Sequence, residues 1–243
     1  MRIEEISAII ILLALFDPEN RAKAETIGIQ DSAPYFVEGK DGKAAGFFND
    51  VALEISKRSG VNLSIRSEPL ARVSAEIQNG NLDFAIRSEI PGVTELGLVT
   101  DFPIIVVARP GISLKVYEDL YKIASITYSR GTFHNTKVQH DPKLKLTESV
   151  DAATALRMLT AGHTDAYYGA ACSFVYLAGI NGVKAALGDT ITVGQGSFVL
   201  LASPRSSSLP ASGRLKAALA SMRDDGTIKS IFSKYMNSDW SPN

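Results

Sequence analysis

Cysteine is nearly missing from this chain: Cys172 stands alone among 243 residues. An intramolecular disulfide and a cysteine-based metal cluster are therefore both excluded, and Cys172 reads as a small buried apolar side chain. Histidine is scarce as well. His134, His140 and His163 are scattered over polar segments, with no carboxylate or cysteine at catalytic or metal spacing. Solvated surface is their default, no metal or other cofactor is expected, and no catalytic triad, phosphate loop or dinucleotide fingerprint is visible. An excess of charge of one sign is lacking too. Lys and Arg total 25 against 26 for Asp and Glu, so no overall field draws nucleic acid or a membrane surface.

Nor is there a long hydrophobic run. Ile6 to Phe16 is almost wholly apolar, but it is much shorter than the roughly 20 residues that a membrane-crossing helix needs. It is followed by polar residues ending in Ala22-Lys23-Ala24, a small-x-small pattern. This predicts a secretory signal peptide over residues 1–24, cleavage after Ala24 and a periplasmic location. With no cysteine near that junction, a lipid anchor is not expected.

What remains is a chain of 45% hydrophobic residues, enough for one sizeable core or two modest ones. From Glu25 onward, β-rich runs alternate with helical patterns: strands over Thr26–Gln30, Asn62–Arg66 and Asp83–Arg87, helices over Phe47–Ser59 and Ala71–Asn79. Such alternation signals an α/β sheet with parallel strands. The helix from Phe47 is expected to bury Val51, Leu53 and Ile55 and to stop at Gly60. A β-branched run, Pro103–Ala108, leads through Arg109-Pro110-Gly111 into a second series. Here strands are expected near Ile123–Tyr128, Leu144–Leu146 and Asp165–Tyr168, with helices after Gly131 and over Val150–Thr160. A last β run, Ser197–Ser203, precedes two helices ending near Asn237.

Several short motifs in this order make the chain resemble the bacterial extracellular solute-binding proteins of family 3, which serve polar amino acid transporters of the ABC class. They are Ala33-Pro34-Tyr35-Phe36, Asp41-Gly42 with Gly46-Phe47 and Asp50, Gly80-Asn81-Leu82-Asp83, Arg130-Gly131-Thr132, Ala161-Gly162-His163-Thr164-Asp165-Ala166, and Asp225-Gly226-Thr227-Ile228 with Tyr235. The resemblance implies an α/β, two-lobed type II periplasmic-binding-protein fold with two crossing strands as hinge, near Pro103–Arg109 and Gly194–Ala202. Lobe 1 would then be discontinuous, residues 25–105 and 195–243, and lobe 2 would span 106–194. The implied activity is capture of a small polar or anionic solute in the interlobe cleft, without catalysis, for a membrane permease of an ABC transporter.

Loops after the carboxyl ends of strands line the crevice of open α/β sheets, and four places qualify. Tyr35 and Phe36 offer an aromatic face. Arg72, Arg87 and Ser88 follow, Ser88 matching a position where family members bind ligand and Arg72 offering a fork for carboxylate or phosphate. Arg130, Gly131 and Thr132 stand at an expected helix start that suits an anion. The pair Tyr167-Tyr168, with Tyr168 as the nominated side chain, closes the set. In amino-acid-binding relatives an acidic residue pairs with the ligand ammonium, and here Ala170 matches that position; the arginine those relatives use for the α-carboxylate is also lacking, with Glu95 near its place. Both departures argue against an ordinary amino acid ligand. An enzyme of the same fold, similar to the cyclohexadienyl dehydratases, is the rival reading, with Glu89 its one nominated carboxylate; a sensory input module is another.

Overall fold

The computed structural model describes residues 24–38, 42–132, 136–206 and 210–236. The expected signal peptide and the residues Phe133 and His134 lie outside this set. Besides a small antiparallel pair, β2 (Val37–Glu38) with β3 (Ala44–Ala45), one eight-stranded sheet organises the chain, in the order β4-β1-β5-β10-β6-β9-β7-β8. On one side of its middle stand β1 (Glu25–Gln30), β4 (Leu63–Glu68) and β5 (Phe84–Ser88). On the other stand β7 (Ile126–Ser129), β8 (Leu146–Ser149) and β9 (Ala166–Ala170). Within each half the neighbouring strands run parallel, β1 with β4 and β5, β7 with β8 and β9.

Two long antiparallel strands tie the halves together. They are β6 (Thr94–Ala108) and β10 (Thr190–Ala202). β10 pairs with β5, and β6 pairs with β9. The ladder between them shifts register between Thr192 and Gly194, between Phe198 and Val199 and between Leu200 and Leu201. Bulges of this kind bend and twist a ribbon locally. The expected β run at Pro103–Ala108 is thus one end of a longer strand; the other part, Thr94–Asp101, mixes Leu96, Leu98 and Val99 with Glu95, Gly97 and Asp101 and breaks strict alternation at Leu98-Val99.

Helices cover the sheet. In the first half these are α1 (Phe47–Ser59) and α2 (Leu70–Asn79); α6 (Pro210–Asp224) and α7 (Thr227–Tyr235) return to the same half and pack on α1. In the second half, after the short α3 (Lys137–His140), come α4 (Ala152–Thr160) and α5 (Ala171–Ile180). α1 has the bounds that its pattern predicts and ends on Gly60 in the left-handed conformation. Its buried face differs: Phe47, Phe48, Val51, Ala52 and Ile55 are buried, whereas Leu53 is 54% exposed. Leu53 lies two residues from each of its expected partners, about 200° around a helix, so it cannot share their face. α5 was not foreseen; its run ACSFVYLAGI is apolar on every side, so no periodicity marks it. The helix expected after Gly131 begins only at Lys137 and lasts four residues. Among the described residues, no helix is long and apolar enough to cross a membrane.

Candidate functional site

The carboxyl ends of β1 and β5 from one half meet those of β7 and β9 from the other, and a pocket opens between them. Its walls carry Gln30, Leu70, Arg87 and Ser88 on one side and Ser129, Thr132, Tyr167 and Ser173 on the other. The halves are closed over it. A Cβ on Gly131 would stand 2.8 Å from the Cα of Ala71 at the start of α2. The Tyr35 hydroxyl lies 2.8 Å from Ser173 Oγ and 3.4 Å from Cys172 Sγ, in the first turn of α5.

Arg87 is the charged group of this pocket. It sits in β5, between β1 and β10, and is only 1% exposed. Its Nε donates to its neighbour's carbonyl, Ser88 O, at 2.9 Å, and Nη1 donates to Ser74 Oγ of α2. Nη2 is buried with no hydrogen-bond partner. Burial alone pushes the guanidinium pKa down to about 10, so it is still charged at neutral pH with no carboxylate to offset it. A second orphan faces it from the other half. Ser129 Oγ, at the end of β7, is buried without a partner of good geometry, although the Tyr167 hydroxyl is near enough to feel it. Buried polar atoms are rarely left unpaired in folded proteins, and two in one pocket mark a place where a ligand completes the bonding.

The aromatic walls are fixed. Tyr35 is buried, stacked on Phe48 with ring centroids 4.5 Å apart and edge-on to Phe198 at 5.3 Å. α1 holds the Tyr35 loop, since the amides of Phe47 and Phe48 donate to the carbonyls of Pro34 and Tyr35 at 2.9 and 3.1 Å. Gly46 makes this approach possible: a Cβ there would lie 2.4 Å from Tyr35 O, and its φ is +130°. Across the pocket, Tyr167 stacks on Phe174 with centroids 4.4 Å apart. Burial pushes both tyrosine hydroxyls above their ordinary range. The half-buried Cys172 thiol is likewise pushed up by its surroundings, which suits an unreactive side chain.

Of the nine residues singled out from the sequence, Tyr35, Arg87, Ser88 and Thr132 line this pocket. The others stand outside its lining. Arg72 is 62% exposed and ion-paired to Glu68 and Glu76, each at 3.3 Å. α2 buries Val73 and Ile77, which turns Arg72 outward. Arg130 is 61% exposed and faces Glu148 at 3.4 Å. Gly131 takes φ +79° in a turn, not a helix start, and meets Ala71 rather than the pocket. Phe36 packs against the main core. Tyr168 is buried in β9 with its hydroxyl 2.7 Å from Thr136 Oγ1, while its neighbour Tyr167 faces the pocket. Side chains of adjacent strand residues point to opposite faces; nothing in a Tyr-Tyr pair says which faces inward. Ser129 and Ser173 were missed for want of any motif.

A larger cavity, of about 540 Å³, lies between α5 and α7 beside Phe102 and Pro103. Its walls are mostly apolar, and among its polar groups Lys234 and the Tyr235 hydroxyl are already spent on Asp50, at 2.8 and 2.7 Å. It holds no orphaned polar atom and ends at Met236, the last described residue. The pocket with Arg87 is therefore the candidate site.

No protein-family model matches the chain, and no curated protein matches it significantly. Solved structures do. An ABC uptake transporter substrate-binding protein from Streptococcus pneumoniae with bound histidine aligns with a TM-score of 0.75 at 18% identity, over 90% of this chain and 95% of that one. A histidine kinase sensor domain with similarity to periplasmic binding proteins gives 0.75 at 19%, over 90% and 98%. An ancestral amino-acid-binding protein, described as a precursor of cyclohexadienyl dehydratase, gives 0.72 at 19%, over 88% and 95%. The chain has the type II periplasmic-binding-protein fold, and at this identity the likeness is one of fold.

Proposed function

We propose that this protein is a periplasmic solute-binding protein that captures a small anion between two lobes and presents it to an ABC-transporter permease. Lobe 1 comprises residues 25–105 and 195–243, lobe 2 residues 106–194. Arg87 carries the reading: its buried guanidinium has an unpartnered nitrogen at the junction of the lobes. An isolated buried charge costs several kcal/mol, and an anionic group on the ligand would return that cost as charge-assisted hydrogen bonds. Ser129 supplies a hydroxyl to the same group from the other lobe. Closure is then the binding event, because each lobe holds half of the contacts.

No carboxylate, imidazole or lysine is among the lining residues, and Glu89 is exposed. Acid–base chemistry needs a positioned proton donor or acceptor, so binding without turnover is the favoured reading. The lack of an acidic side chain at Ala170, which lines the pocket, argues against a ligand with a free ammonium, whose desolvation there would go uncompensated. The experiment is a thermal-shift screen of carboxylic acids and amino acids followed by calorimetry on the wild type and Arg87→Met. Saturable binding of an acid, lost in the variant, is expected. Tight binding of a cationic or neutral solute that survives Arg87→Met would overturn the proposal. N-terminal sequencing of the exported protein checks the location, with Glu25 the expected first residue.

A further inference from the structure

Beyond the site with Arg87, we propose that residues 237–243 of this chain occupy the apolar cavity between α5 and α7, with Trp240 as their anchor. The cavity has the size and walls of a binding site. Its volume of about 540 Å³ falls in the range of sites that enclose a drug-sized molecule, about 300–1,000 Å³, and an indole ring is smaller than such a molecule. Phe102, Ala171, Val175, Ile180 and Phe232 are among its walls, and Ile180 is 61% exposed. Apolar surface gathered in a concave space and left to water is unfavourable, so a patch of this kind marks an interaction site.

The chain itself delivers the occupant. Met236 lines the cavity, and the residues that follow it are Asn237-Ser238-Asp239-Trp240. Four residues reach up to about 14 Å when extended, so Trp240 enters without any rearrangement of α7. It is the one tryptophan of the chain, and an aromatic side chain buries about 150–250 Å² when it is enclosed. Tyr176 puts a hydroxyl in the wall for the indole N–H. Charge agrees with this placement. Lys234 is paired with Asp50, but Lys184, also on the wall, is exposed and has no ion pair among the described residues. Asp239, the neighbour of Trp240, brings a carboxylate to it. A short tether also gives the segment an effective concentration that a free molecule would have to exceed. The docked segment touches both halves, since α5 belongs to the second and α7 to the first. Ala171 and Cys172 line this cavity and the adjoining Ser173 lines the Arg87 pocket, so the segment braces the turn of α5 that carries the Tyr35–Ser173 bond.

Because Trp240 is the only tryptophan, fluorescence reports on this segment alone. In the intact protein its emission should be blue-shifted and shielded from acrylamide relative to the urea-unfolded chain. Val175→Arg, which puts a charge into the wall, should abolish the shift while leaving the far-ultraviolet circular dichroism unchanged. Removal of residues 237–243 should lower the melting temperature by about 4 °C or more. It should also open the cavity to the neutral dye Nile red, which the intact protein should bind about tenfold more weakly or not at all. If Val175→Arg does not fold, the dye comparison decides. A solvent-exposed Trp240 in the intact protein would overturn the proposal. So would a shielded Trp240 that a folded Val175→Arg leaves untouched, or Nile red that binds the intact and shortened chains alike. Shielding that is lost on dilution would place the segment in a second copy of the chain and would overturn it as well.

Discussion

Arg87→Met separates what this residue does for binding from what it does to the fold. In the unliganded protein the guanidinium is held in a pocket whose burial pushes its pKa well below the ordinary arginine value, to about 10. At 1.36 kcal/mol per unit, a charged Arg87 costs the folded state about 3 kcal/mol. Methionine removes that charge and fills most of the space. Against the gain stand two lost bonds from a charged donor, to Ser74 and Ser88, about 1.5 kcal/mol each, and a small void. The variant should therefore lie within about 1 kcal/mol of the unliganded wild type, with a melting temperature within about 4 °C of it. The linkage sign agrees. A depressed folded pKa means that the unfolded chain holds the extra proton between the two values, so the cost of the charge is constant near neutrality and is relieved as pH rises above about 10. Denaturant melts of both proteins, without ligand and at neutral pH, provide the measurement. A variant less stable than wild type by 2 kcal/mol or more would refute the reasoning, because it would mean that a charge partner already compensates Arg87.

Other substitutions probe the closed state and the frame around it. Gly131→Ala places a Cβ 2.8 Å from the Ala71 backbone at φ +79°; affinity should fall at least tenfold, and small-angle scattering should show no compaction with saturating ligand. Tyr35→Phe removes the bond to Ser173 across the lobes, which should cost about 1 kcal/mol, read as roughly a fivefold rise in Kd by calorimetry. At Asp50, burial opposes ionisation, but bonds from Lys234 and Tyr235 outweigh it and hold the carboxyl below its usual range. Its stabilisation is present above the unfolded value and is lost as pH falls through the folded one. Asp50→Asn should thus be less stable by about 1 kcal/mol at pH 7, and urea titrations should show the difference shrinking as pH falls below the ordinary aspartate range and vanishing once the folded carboxyl is protonated.

Much of the architecture was legible because periodicity and capping agree. α1 runs from Phe47 to Ser59 and stops at Gly60 as its pattern predicts, and the two α/β series fall on either side of the β6–β10 ribbon. The first half of β6 and the whole of α5 were not legible, one because Gly97 and the adjacent Leu98-Val99 break its alternation and the other because it is too uniformly apolar for a helical pattern. At the site, sequence reasoning found Arg87 but set it beside Arg72 and Arg130, which occupy ion pairs on the surface. The three arginines differ in burial, and burial is decided by which face of α2 and which end of β7 packs inward. The inward turn of Tyr167 rather than Tyr168 depends on strand register alone.

The Ala71–Gly131 contact lies at the rim, away from the ribbon that joins the halves, and this placement gives the ribbon leverage over affinity. Under the proposed function the pocket is complete only in the fraction of molecules that are closed, so the observed dissociation constant would be the intrinsic one divided by that fraction. Residues that never meet the ligand can then tune capture and release by shifting this population. The register shift between Thr192 and Gly194 and the neighbouring Pro103, which has no amide to donate to the ladder, soften the ribbon where the two halves join. A stiffer ribbon that favours the closed form would hold the ligand longer and surrender it to a partner more slowly, and a looser one would trade affinity for turnover.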